Sequence, residues 1–266
     1  MPKKIYQTVR DDHRLPGGRR LLLEFRADSE RVPAILMLPS ATSPVPGALL
    51  LHGYTSRKEH VADTIGAALL VRGMASLSVD LPLHGERSET LEPMSVVRPF
   101  ELVRRWHAAL DEASLSLRYL AARQEIDGAR LALVGYSLGS FLGIIVAARE
   151  AVVRALVLAA GGDLPDGTPF AKLIRTVADP LRAVRKLNGR PLLMVNGRWD
   201  RTIRPEQAER LFAEANEPKE LRWWDAGHYL PPAAIADAAD WLAQQLSGTT
   251  EARAATRASG GAGSGG

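Results

Sequence analysis

The chain has 266 residues, of which 46% are hydrophobic and 24% charged. That is ample material for one large core and argues against a disordered or fibrous protein. The absence of cysteine excludes disulfides, thiolate metal sites and a cysteine nucleophile, and the net charge of +4 equals the excess of six Lys or Arg over two Asp in residues 1–20 alone.

The chain opens with a basic arm, residues 1–19, that includes Lys3, Lys4, Arg10, Arg14 and Arg19. No aromatic-and-basic recognition motif accompanies it, so no nucleic-acid partner is expected. No apolar stretch of signal-peptide length follows, and no later run approaches the ~20 residues of a membrane span. A cytoplasmic protein is the expectation, with a homodimer as one open assembly.

Residues 21–25 and 34–38 read as an opening antiparallel pair. Apolar runs at 48–51, 75–79, 131–134, 155–159 and 192–195 look like strands buried on both faces of a parallel sheet. Helical patterns near 60–72, 100–123, 138–149, 170–187 and 205–214 lie between them, and a strand at 221–224 and a helix at 232–246 close the series. This alternation predicts an α/β fold: a doubly wound, mostly parallel sheet of about eight strands with helices on both faces. Active groups are then expected at the C-terminal ends of the strands. One domain spans 20–246, and the Ser-, Gly- and Ala-rich composition of 247–266 predicts a flexible tail.

Gly135-Tyr136-Ser137-Leu138-Gly139 falls directly between a strand and a helical pattern. A sharp strand-to-helix turn holds such a serine in a strained conformation above the sheet edge, and glycines on either side let neighbouring chains approach. The plainer alternative is that Ser137 only caps the helix.

A serine hydroxyl needs a base. Of six histidines, His228 follows the last strand in Trp224-Asp225-Ala226-Gly227-His228 and is the favoured one. Asp200, on the loop after 192–195, is the favoured acid, since it would orient the imidazole and stabilise its charged form; Asp163 and Asp225 are rivals. In Leu51-His52-Gly53-Tyr54, a buried strand ends in a turn suited to holding an oxyanion. The backbone N–H groups of Tyr54 and Leu138 are assigned to that task. His52 and His84 are expected to shape their turns, and no close ligand spacing supports a metal.

Together HGYTSRKE (52–59), DLPLHGER (80–87), GYSLG (135–139), PLLMVNGRWDRTI (191–203) and AGHYLP (226–231) resemble the α/β-hydrolase superfamily over nearly all of 20–246. They look most like bacterial serine esterases related to the dienelactone hydrolases and to the catalytic domains of prolyl-oligopeptidase-like enzymes. The resemblance implies a cofactor-free serine carboxylesterase acting on a small-molecule ester, with Ser137, Asp200 and His228 at the triad positions. Serine replaces the cysteine of dienelactone hydrolases, which argues against that substrate, and the oligopeptidases' propeller domain has no counterpart here.

Residues 160–190 leave room for a short cap after the sixth predicted strand, its helical apolar positions including Phe170, Leu173, Ile174, Val177, Leu181, Val184 and Leu187, with a break at Pro180. Its polar face carries Lys172, Arg175, Arg182, Arg185 and Lys186, a solvated face or a guide for anionic substrates. Tyr54, Trp199 and Tyr229 flank the site in sequence and are expected to contact substrate, with small or medium acyl groups favoured. A peptidase or thioesterase would use the same triad, and a non-catalytic binding protein is a third reading.

Overall fold

The computed structural model describes residues 7–27, 30–87, 99–164, 167 and 171–260. Phe170, Lys3, Lys4 and residues 261–266 of the expected tail lie outside them. Among the described residues nine strands form one sheet: β1 (Gln7–Leu15), β2 (Gly18–Ala27), β3 (Glu30–Pro39), β4 (Val45–Leu51), β5 (Ala75–Val79), β6 (Ile126–Tyr136), β7 (Val153–Ala159), β8 (Leu192–Gly197) and β9 (Lys219–Trp224). Their spatial order is β1-β2-β3-β5-β4-β6-β7-β8-β9. The pairings β1/β2, β2/β3 and β3/β5 are antiparallel, and every pairing from β5 to β9 is parallel.

The helices are α1 (Lys58–Val61) and α2 (Ala67–Leu70), joined by a π-helical turn at Ala62–Gly66, then α3 (Pro99–Ala121), α4 (Leu138–Arg149), α5 (Ala171–Val177), α6 (Pro180–Val184), α7 (Pro205–Glu214) and α8 (Pro232–Gly260). Side chains alternate across a strand, so the parallel strands feed two cores. Leu49, Leu51, Leu131 and Leu133 face one with α3 and α4, while Ala48, Leu50, Ala132 and Val134 face the other with α8. Trp223 and Trp224 pack against opposite cores, as adjacent strand residues must.

Three expectations change. The basic arm is not separate from the fold, because residues 7–15 form edge strand β1. All but Leu15 have exposed side chains, so no apolar alternation marks the strand; pairing with β2 creates it. Arg10 pairs with Glu86 at 2.5 Å and Arg19 with Asp12, so part of the basic charge is matched internally. The closing helix does not end near 246 but runs through Gly260, since Ala, Glu and Arg in TTEARAATRA favour helix where a flexible tail was expected. The cap segment forms α5 and α6 with a break before Pro180, and Ile174, Ala183, Val184 and Leu187 bury into the core beside α4. Arg175 pairs with Asp163 and Asp179, and Arg185 with Glu214. Among the described residues no helix is long and apolar enough to cross a membrane.

Candidate active site

Register determines which loops meet. β4 and β6 pair in parallel with Leu51 opposite Gly135, so the turns that follow, 52–54 and 136–138, emerge side by side. The chain turns to β5 on one flank of β4 and to β6 on the other, which makes this a switch point where a crevice opens at the strand ends. β8 and β9 pair with Gly197 opposite Trp224. Their loops are laced together beyond that point: Arg198 N–H donates to Trp224 O and Trp199 N–H to Ala226 O, both at 2.9 Å.

Ser137 sits at φ 51°, ψ −112° between β6 and α4, a region that non-glycine residues enter only at a cost. The surroundings enforce it. A Cβ on Gly135 would lie 2.2 Å from Gly139 O, and one on Gly139 would lie 2.0 Å from Leu51 O, so both flanking positions admit glycine alone. Ser137 N–H donates to Ala159 O at 2.9 Å, tying the turn to β7. The side chain makes no capping bond to α4, which removes the helix-cap alternative.

The Ser137 hydroxyl instead lies 2.9 Å from His228 Nε2, and His228 Nδ1 lies 2.8 Å from Asp200 Oδ2. Asp200 is buried, and its other oxygen accepts the N–H groups of Thr202 at 2.8 Å and Ile203 at 3.0 Å. With Oδ1 so occupied, Oδ2 is left to accept from the imidazole; Nε2 is then an acceptor for the serine proton. The rival acids are committed elsewhere. Asp163 is buried under Arg175 and Arg210, and Asp225 accepts the Trp199 indole N–H at 2.8 Å.

A cavity of about 240 Å³ opens beside this chain of groups, its lining including Gly53, Tyr54, Ser137, His228 and Tyr229 together with the apolar side chains of Val61, Ile65, Leu230 and Ile235. Of the three aromatics expected to contact substrate, Tyr54 and Tyr229 line this cavity and Trp199 does not. It is 68% exposed, its indole is turned to Asp225, and it is absent from the cavity wall. Nor do the described residues of α5 and α6 line the cavity. Leu138 is the first residue of α4, where backbone N–H groups have no partner within the helix.

Sequence reasoning missed Tyr136. Its hydroxyl donates to His228 O at 2.7 Å and accepts the Leu230 N–H at 3.0 Å, so it holds the histidine loop from both sides. Its place inside the glycine–serine motif was visible, but nothing local pointed to a partner 92 positions away.

His52 is buried, donates through Nδ1 to Gly53 O at 2.8 Å and accepts the Leu81 N–H through Nε2 at 3.1 Å. Burial pushes its pKa down to about 4, so it stays neutral and holds the turn. His84 donates to Pro82 O at 2.8 Å, and burial likewise lowers its pKa. Among the described residues no three His, Asp or Glu converge as a metal-binding group.

The sequence model of the alpha/beta hydrolase family matches residues 48–257. The chain belongs to that family. Solved structures similar to this hydrolase include a cold-adapted esterase from an Arctic intertidal metagenomic library, 21% identical with a TM-score of 0.70, the match covering 89% of this chain and 98% of that one. Acetyl xylan esterase 1 from a Thermoanaerobacterium species is 15% identical with a TM-score of 0.74, covering 92% and 89%. The glucuronoyl esterase from Solibacter usitatus is 14% identical with a TM-score of 0.66, covering 92% and 87%. Among curated proteins none matches the chain by sequence.

Proposed function

We propose that this hydrolase is a serine carboxylesterase cleaving small or medium acyl esters through an acyl-serine intermediate. The reading rests above all on the hydrogen-bonded series Ser137–His228–Asp200, with contacts of 2.9 and 2.8 Å at a strained strand-to-helix turn. Ser137 Oγ attacks the ester carbonyl carbon while His228 Nε2 takes its proton, and Asp200 stabilises the resulting imidazolium. The carbonyl oxygen, now anionic, is held by the N–H groups of Tyr54 and Leu138, each such donor contributing about 3 kcal/mol. Collapse expels the alcohol, which takes the proton from His228. Water, deprotonated by His228, then attacks the acyl carbon and releases the carboxylic acid.

The name borne by several structural neighbours, esterase, favours ester over amide or thioester. The cavity of about 240 Å³ is smaller than pockets that take drug-sized ligands, ~300–1,000 Å³, which favours short acyl groups. Tyr54 and Tyr229 are the substrate-contacting aromatics in this reading. Labelling by a fluorophosphonate probe, abolished in Ser137→Ala, tests the nucleophile. A p-nitrophenyl ester series tests the substrate class: turnover should be highest for acetate to hexanoate, and a maximum at long acyl chains would refute the size argument.

A further inference from the structure

We infer that Lys58 is a positioning residue for the Tyr54 turn, its buried ammonium clasping the turn to the loop after β5 so that the Tyr54 N–H keeps its aim. The inference rests on the oxyanion role proposed for that N–H. Residues 52–57 join the end of β4 to the start of α1. Within them Thr55 is held at φ 62°, a cost for a β-branched residue that surrounding contacts must sustain. Ser56 N–H donates to Gly53 O at 3.2 Å, closing the turn on itself.

Both ends of the turn are gripped by the same neighbouring loop. At the near end His52 accepts the Leu81 N–H. At the far end Lys58 is fully buried, its Nζ donating to Asp80 Oδ2 at 2.9 Å and Glu86 Oε1 at 2.8 Å, and lying 2.8 Å from Glu59 Oε1. The Lys58 backbone N–H donates to Asp80 Oδ1 at 2.9 Å, so one carboxylate takes both the main chain and the side chain of the first residue of α1. Asp80 also accepts the Glu86 N–H at 3.0 Å, and a Cβ on Gly85 would fall 2.1 Å from Asp80 Oδ1, so the loop wraps as tightly as the backbone allows. Arg87 anchors the loop in turn, donating to Asp80 O at 3.2 Å and to both oxygens of Glu112 on α3.

A buried ion pair adds little net stability beside an apolar pair of the same volume. Its distinguishing property is direction, since each bond admits a narrow range of geometry. Burial alone would lower the lysine's pKa, but the bonds it donates to Glu59, Glu86 and Asp80 outweigh it and keep the ammonium charged.

The test compares Lys58→Met and Glu86→Gln with the wild type, using circular dichroism, steady-state hydrolysis of p-nitrophenyl acetate, and inhibition by a trifluoromethyl ketone, whose hemiketal oxyanion occupies the same donors. Folded Lys58→Met should lose about 10- to 100-fold in kcat with KM within about threefold, and ketone affinity should weaken in parallel with kcat/KM. Unchanged kcat, or a raised KM alone, would overturn the inference. If Lys58→Met does not fold, Glu86→Gln decides, because Glu86 is partly exposed and its loss leaves the Lys58–Asp80 contact in place. It should lower kcat several-fold at constant KM, and unaltered kcat overturns the inference. A wild type that is labelled by fluorophosphonate yet inert toward esters would remove the ester reading alone. The labelling rate of the variants would still measure positioning.

Discussion

Replacing Asp200 by Asn isolates a single proton. The side chain keeps its shape, and the two backbone donors at Thr202 and Ile203 oblige the amide oxygen to occupy the Oδ1 position. The amide nitrogen is left facing His228 Nδ1, now 2.8 Å from a donor where it had an acceptor. The imidazole must then carry its proton on Nε2, which points at Ser137 Oγ and can no longer take the serine proton. Loss of the orienting aspartate in a well-studied triad enzyme costs ~10⁴-fold in kcat, equivalent to about 5 kcal/mol of barrier. The expectation here is the same order, with thermal unfolding little changed. Initial rates on p-nitrophenyl acetate at pH 7.5 are the assay. Asp225→Asn serves as control and should stay within about twofold of wild type, since Asp225 bonds the Trp199 indole and not the imidazole. An Asp200→Asn enzyme retaining more than a tenth of wild-type kcat would refute the assignment of acid and tautomer together.

Gly139→Ala should cost about 3 kcal/mol or more, because its Cβ would lie 2.0 Å from the Leu51 carbonyl oxygen and backbone cannot yield as a side chain can; a melting temperature within two or three degrees of wild type would contradict this. Tyr136→Phe deletes the donor to His228 O and the acceptor of the Leu230 N–H, so it should lose about 1–3 kcal/mol in urea unfolding and lower kcat up to about tenfold with KM nearly constant. Acid should destabilise the fold through His52: its folded pKa is about 4 against 6.5 ordinarily, so below pH 6.5 the unfolded chain binds a proton that the folded chain refuses. That contribution is complete above pH 6.5, wanes as pH falls and levels off near pH 4. It amounts to about 2 kcal/mol lost between pH 7.5 and pH 5. His84, also lowered by burial, adds the same sign. Urea midpoints that do not move over this range would show that burial does not hold His52 neutral.

Much of this protein is written in local chemistry. Continuous apolar runs of this length fit strands covered on both faces, and glycine at 135 marks a backbone crowding against Gly139 within a few residues of the serine itself, whereas Gly139 answers to the Leu51 carbonyl on the neighbouring strand. Fold class and the identity of Ser137, His228 and Asp200 as candidates were therefore legible from order and spacing. Edge strand β1 was not, because exposed side chains carry no burial pattern and the strand exists through its pairing with β2. Trp199 was placed near the site by sequence adjacency to Asp200, yet a loop's successive side chains diverge and its indole turned to Asp225. The Tyr136 hold on His228 and the Lys58–Asp80 clasp depend on which loops the strand register sets side by side. Contacts across 92 and 22 positions are outcomes of three-dimensional packing, and no property of either residue alone announces its partner.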